Sequence, residues 1–91
     1  MTMIYNVEVN REVIMVDTCL FPTGALGGWE IALKQGSTKI GFLKQEGREF
    51  SIVADADSIL DGVSSGPYSS RGDAMSAIEV QTGGTCELYS G

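Results

Sequence analysis

The chain contains no histidine. This absence removes the commonest general base near neutral pH, and with it the usual Ser–His and Cys–His nucleophile pairs. It also removes the nitrogen ligand that many zinc sites use. We therefore expect a protein that is not an enzyme, with no catalytic residues and with neither a cofactor nor a metal bound to it.

Cysteine is almost as scarce, since Cys19 and Cys86 are the only two in the chain. They lie far apart in the sequence, so neither has the nearby second thiol of a metal-ligand pair. In a reducing cytosol such residues are more often small buried hydrophobic side chains than partners in a disulfide. The sequence therefore predicts two buried free thiols.

Long apolar runs are also missing, and no stretch approaches the length that spans a bilayer. The first residues, Met1 to Asn6, lack the basic and apolar regions of a secretory signal peptide. Both observations predict a cytoplasmic protein that makes no membrane contact. Hydrophobic residues still make up 43% of the chain, which is enough for a core, and we expect a single domain over residues 1–91.

Basic residues are half as numerous as acidic ones, with six Lys and Arg against twelve Asp and Glu and a net charge of −6. Acids and bases cancel over residues 1–48. The excess therefore lies in residues 49–91, where Arg71 is the only base. An acidic surface of this kind repels nucleic acid and attracts basic partners, so we expect no direct nucleic-acid contact.

A helix with both ends marked is predicted over about residues 71–82. Ser70 and Asp73 resemble a capping box at its start, and Gly83 suits the left-handed position that ends a helix. Helical spacing then brings three apolar side chains onto one stripe. This stripe, which we expect to pack on a sheet, consists of Ala74, Met75 and Ile78.

Alternating apolar residues predict strands over most of the remaining chain. The predicted strands cover residues 2–10, 13–21, 29–34, 39–44, 49–54 and 85–89. Short turns at 35–37 and 45–48 join the middle three into an antiparallel meander over residues 29–54. The predicted fold is α+β, with an antiparallel sheet of five to six strands and one amphipathic helix packed on one face.

The loop after the meander carries three closely spaced carboxylates, Asp55, Asp57 and Asp61. Their spacing is similar to the start of a calcium loop. However, Ile59 and Gly66 stand where such a loop needs an acid and its final glutamate. A helix cap at Asp57 is the ordinary explanation. An enzyme that uses these carboxylates with a metal is therefore the weakest functional interpretation.

A non-enzymatic binding protein that occupies the surface of a basic partner protein is the leading interpretation. It follows from the small size, the one-sided acidity and the missing catalytic set. Its most concrete form is a phage-type inhibitor of a basic nucleic-acid-binding complex, which imitates phosphate groups as anti-CRISPR proteins do. The predicted partner-binding carboxylates are Asp55, Asp57, Asp61, Asp73, Glu79 and Glu87.

The alternative is a small homo-oligomeric module that binds a small molecule. The predicted strand at 13–21 has apolar residues on both faces, and Val80 lies off the apolar stripe of the helix. Apolar side chains in such places are explained either by ordinary scattered exposure or by contact with another subunit. If the chain associates with itself, a twofold-symmetric homodimer is the expected form.

Overall fold

The computed structural model describes residues 15–24 and 27–89. These residues form a small α+β fold, in which a five-stranded mixed sheet curls into a half-barrel beside one helix. None of their helices is both long and apolar enough to span a bilayer. The elements are β1 (Val16–Pro22), β2 (Gly28–Leu33), β3 (Lys39–Glu46), β4 (Glu49–Ala54), α1 (Arg71–Thr82) and β5 (Gly83–Leu88). The strand predicted at 2–10 lies outside the described residues.

The predicted meander is confirmed, because β2, β3 and β4 are consecutive antiparallel neighbours in the sheet. The second turn is tighter than predicted. Pairing continues to Glu46 opposite Glu49, so that only Gly47 and Arg48 connect the two strands. Gly47 has a φ of 62°, which glycine adopts without the steric cost that a side chain would bring.

The prediction of an entirely antiparallel sheet was wrong, because β5 runs parallel to β1. The sheet order is β4-β3-β2-β1-β5, so the last strand lies beside β1 at the edge of the sheet opposite β4. Parallel neighbours need a long connection, and the one between β1 and β5 consists of the meander, the loop after it and α1. Gly83 directly follows the helix and pairs with Val16 at the start of β1. The last strand consequently begins at residue 83 instead of the predicted 85.

The predicted helix bounds are confirmed by α1, and both caps contribute. The Ser70 hydroxyl accepts a hydrogen bond from the Asp73 backbone N–H at 3.0 Å. At the other end, Gly83 has a φ of 77°, and its N–H donates to the Glu79 carbonyl oxygen. The Asp73 carboxylate accepts from the Ser69 hydroxyl at 2.9 Å, which replaces the return contact expected of a capping box.

The core lies between α1 and the face of the sheet that we call the inner face. Ala74 and Ile78 of the predicted stripe are fully buried, whereas Met75 is half-buried. Burial of Ile78 contributes about 1.5–3 kcal/mol to stability. The largest hydrophobic side chains that are fully buried are Leu20, Ile31, Leu43, Ile52, Leu60 and Ile78.

Candidate protein-binding surface

Three of the predicted partner-binding carboxylates, Asp55, Asp57 and Asp61, lie together in the loop after β4. Asp55 Oδ1 accepts a hydrogen bond from Lys39 Nζ at 3.1 Å, and Asp61 Oδ2 accepts one from the Asp57 backbone N–H at 3.2 Å. The loop is tied to α1 by Gln81, whose side-chain amide donates to two loop carbonyl oxygens at 3.2 and 3.1 Å. Asp57 and Asp61 are exposed, so this loop presents two carboxylates from a braced backbone.

The other three predicted carboxylates lie elsewhere and already accept hydrogen bonds within the chain. Asp73 belongs to the first turn of α1, about 12 Å along the helix axis from Gln81. Glu79 Oε2 accepts from the Cys86 backbone N–H at 3.0 Å. Glu87 accepts from Lys34 Nζ at 3.3 Å. The structure therefore brings together the loop carboxylates and separates them from Asp73.

Both cysteines are buried free thiols, as predicted. Cys86 pairs with Thr18 across β1 and β5, and Cys19 is the next residue along β1. Because successive strand residues point to opposite faces, the two thiols lie on opposite sides of the sheet. Burial raises the pKa of the Cys86 thiol, which keeps it protonated at neutral pH. In the described residues, no three acidic or thiol side chains come together as metal ligands.

The sheet has a second face, opposite α1, which we call the outer face. Ile31 and Leu43 point into the core, so their neighbours Glu30 and Phe42 point outward. Phe21 lies opposite Glu30 on the adjacent strand, and the register fixes all three side chains on the outer face. This face carries a surface that the sequence alone did not identify.

One row of outer-face side chains crosses all five strands. In strand order it consists of Tyr89, Phe21, Glu30, Phe42 and Val53, and we call it the aromatic row. Tyr89 directly follows β5, and its ring stacks on that of Phe21 with 4.6 Å between the centroids. Val53 is 54% exposed and Tyr89 is 50% exposed, while the middle three residues are half-buried. The row is thus accessible at both ends.

Phe42 is held in the aromatic row by the glycine beside it. A Cβ atom at Gly28 would lie only 2.8 Å from Phe42 Cζ, which shows that the ring rests against the Gly28 backbone. Glycine at this position lets an aromatic ring lie close to the sheet. Phe42 is therefore positioned by its neighbour on β2.

The lysines associated with the outer face are already engaged by acids. The ion pairs are Lys34 with Glu87 at 3.3 Å, Lys39 with Asp55 at 3.1 Å and Lys44 with Glu46 at 3.1 Å. Glu30 and Glu49 form no ion pair with any other residue that the structure describes. Arg48, in the turn beside Glu49, offsets that carboxylate. After these charges cancel, the described part of the outer face keeps the negative charge of Glu30.

An open cleft of about 740 Å³ lies at the end of the sheet where β1 begins. It is lined by Met15, Val16, Asp17, Leu33, Lys34 and Gln35. Asp17 Oδ1 accepts from the Thr85 backbone N–H at 3.0 Å, and Lys34 pairs with Glu87. The two charged groups of the lining are thus committed within the chain, whereas small-molecule sites usually offer convergent polar groups to the ligand.

No protein-family model, curated protein or solved structure matches this chain. The chemistry of its own surfaces is therefore the basis for assigning a function. A row of partly exposed aromatic side chains on the sheet face opposite α1 is typical of a surface that binds another protein. The surplus of negative charge around the aromatic row favours a partner that is positively charged.

The outward orientation of two residues in the aromatic row could be predicted from the sequence. Phe42 and Glu30 each alternate with core residues along their strands, so their exposure follows once the inward face is known. What the sequence does not show is that Phe21, Glu30 and Phe42 stand side by side. That depends on the register between strands that are separated by a loop and a turn.

Proposed function

We propose that this chain is a non-enzymatic binding protein that occupies a basic surface on a partner protein. The observation that carries this function is the aromatic row on the outer face of the sheet. Aromatic side chains are enriched where proteins bind one another, and here they surround a carboxylate that has no ion pair among the described residues. The same negative charge disfavours direct contact with nucleic acid.

Asp57 and Asp61 add a second acidic contact to this proposal. Both are exposed and lie on one loop, and Asp61 would give up only its bond from the Asp57 N–H in order to bind a partner. Asp73, Glu79 and Glu87 lie elsewhere and would also have to give up contacts within the chain. The more specific form, a phage-type inhibitor that imitates nucleic-acid phosphate, requires the loop carboxylates to lead the contact. A cytoplasmic location belongs to the same proposal, because free thiols are typical of a reducing compartment.

A pair of valines offers a matched test of the binding face. Val53 lies at one end of the aromatic row, and Val80 is 85% exposed on α1. A photo-crosslinking amino acid is introduced at either position, and the chain is expressed and irradiated in its source cell. We expect an adduct with a basic protein from position 53 and none from position 80. Equal labelling from both positions, or no adduct from position 53, contradicts the proposal.

The alternative function is a homo-oligomeric module that binds a small molecule, and the open cleft beside Met15 is the feature that favours it. Its volume of about 740 Å³ is in the range of small-molecule sites. The same crosslinking experiment separates the two functions. An adduct of twice the chain mass, formed from purified protein alone, supports the homo-oligomer and opposes the basic partner.

A further inference from the structure

We infer that the aromatic row receives an arginine side chain of the partner protein, with Glu30 as its ion-pair acceptor and the rings of Phe21 and Phe42 beside it. The inference rests on the proposed function, because it names the chemical group through which the partner would bind. The occupant is a guanidinium group carried by a protein segment.

The positions of three residues provide the first argument. Glu30 on β2 lies directly opposite Phe21 on β1 and directly opposite Phe42 on β3. Adjacent strands are separated by about 4.8 Å, so the two aromatic residues stand about 10 Å apart with the carboxylate between them. A cation that pairs with Glu30 therefore lies within reach of a ring on either side, where the electron-rich ring faces attract it.

The second argument is that both rings are held in position before binding. Phe21 stacks on Tyr89 with 4.6 Å between the ring centroids. Phe42 rests against Gly28, where a Cβ would approach it to 2.8 Å. Side chains that are already ordered lose less conformational entropy when a ligand binds. The site is thus arranged for a cation.

The geometry selects arginine in preference to lysine. A guanidinium is planar, stacks on aromatic rings and donates two parallel hydrogen bonds to one carboxylate. An ammonium is more strongly hydrated and acts as a point charge. The fold already contains one arginine–aromatic contact, in which Arg71 Cζ lies 5.3 Å from the centroid of Trp29.

Charge complementarity provides the last argument. Lys34, Lys39 and Lys44 are each paired with another acid, and Arg71 contacts Trp29, which belongs to the core side of β2. Neither these cations nor Arg48, in the turn between β3 and β4, pairs with Glu30. An external arginine would therefore meet a carboxylate for which the described part of the chain supplies no counter-ion.

The test is a titration of the purified full chain with hexa-arginine and, separately, with hexa-lysine at the same ionic strength. Backbone amide shifts are followed by NMR. We expect hexa-arginine to shift the amides of Phe21, Glu30 and Phe42 and to bind more tightly than hexa-lysine.

Two charge-removing variants test the role of Glu30. Glu30→Gln should weaken hexa-arginine binding about fivefold, which is equivalent to about 1 kcal/mol of binding free energy. Glu49→Gln removes the same charge from the edge of the outer face, and we expect it to weaken binding by less than about twofold.

Any one of the following results would overturn the inference. Equal weakening by Glu30→Gln and Glu49→Gln would mean that only general charge attracts the peptide, and shifts centred on Asp57 and Asp61 would move the site to the loop. If the amide signals of the aromatic row shift with protein concentration in the absence of peptide, the row binds a second copy of the chain. If deleting residues 1–14 shifts these signals, the row binds a segment of its own chain. If hexa-arginine fails while position 53 still crosslinks a basic protein, the proposed function stands and the arginine site is wrong. If position 53 captures nothing while the titration succeeds, the proposed function fails.

Discussion

Glu79 on α1 accepts a hydrogen bond from the Cys86 backbone N–H on β5, with 3.0 Å between Oε2 and N. Within the described residues, β5 pairs with β1 on one side only. Open strand edges invite pairing with another chain, and a carboxylate that occupies an amide reduces that risk. The contact therefore both secures the helix on the last strand and protects the edge of the sheet.

Glu79→Ala is expected to lower the free energy of unfolding by about 1–2 kcal/mol, because the Cys86 amide loses a charged acceptor. It should also promote self-association through β5. Urea denaturation measures the first effect and light scattering the second. The control is Glu87→Ala, which breaks an exposed ion pair with Lys34 and should cost less than about 1 kcal/mol. Equal losses in the two variants would show that the Glu79 contact has no special importance.

Ser70→Ala should destabilise the protein by about 1 kcal/mol, since the Asp73 N–H at the start of α1 loses its acceptor. Thermal or urea unfolding followed by circular dichroism measures the change. Ser76 is exposed in the interior of the same helix, so Ser76→Ala should leave stability unchanged or raise it slightly. A loss from Ser76→Ala as large as that from Ser70→Ala would contradict the assigned cap.

Two glycine substitutions should change stability in opposite directions. A Cβ at Gly28 would lie 2.5 Å from the Leu43 carbonyl oxygen and 2.8 Å from the Phe42 ring, so Gly28→Ala should cost about 1–3 kcal/mol. The nearest atom to a Cβ at Gly72, in α1, is at 3.8 Å, and Gly72→Ala should stabilise by about 0.5–1 kcal/mol. Urea denaturation compares the two variants. A neutral Gly28→Ala would show that Phe42 does not rest on the strand as described.

The buried Cys86 thiol predicts a stability that falls in alkaline solution. Burial raises its pKa in the folded chain, so the unfolded chain loses this proton at a lower pH than the folded chain. The stabilising contribution is complete below the ordinary thiol pKa of about 8.5 and declines as the pH rises above it. Unfolding free energies measured across this range should decline less steeply for Cys86→Ala. Parallel pH profiles of the two proteins would contradict the assignment.

Local chemistry explains which parts of the fold could be predicted. The bounds of α1 follow from Ser70 and Gly83, whose capping roles depend on a few adjacent residues. The meander follows from alternation and short turns. The parallel pairing of β5 with β1 could not be predicted in this way, because it joins Gly83 to Val16 across almost the whole described chain.

The candidate site was harder to predict for the same reason. The acidic composition of residues 49–91 points to Asp73 and Glu79, whereas in the structure Asp73 belongs to a helix cap and Glu79 binds a strand edge. The sequence does not single out Glu30 as a site residue, because its role in the candidate site depends on Phe21 and Phe42 on neighbouring strands. The number of acids can be read from the sequence, but their neighbours depend on the strand register.

The most direct test of the central claim compares two charge reversals of equal size, Glu30→Lys in the aromatic row and Asp57→Lys in the loop. Each variant is mixed with the protein captured through position 53, and complex formation is measured by light scattering at low salt, where screening is weakest. We predict that Glu30→Lys abolishes the complex and that Asp57→Lys largely preserves it. A complex that survives Glu30→Lys but is lost with Asp57→Lys would contradict the proposed binding face and place the contact in the acidic loop.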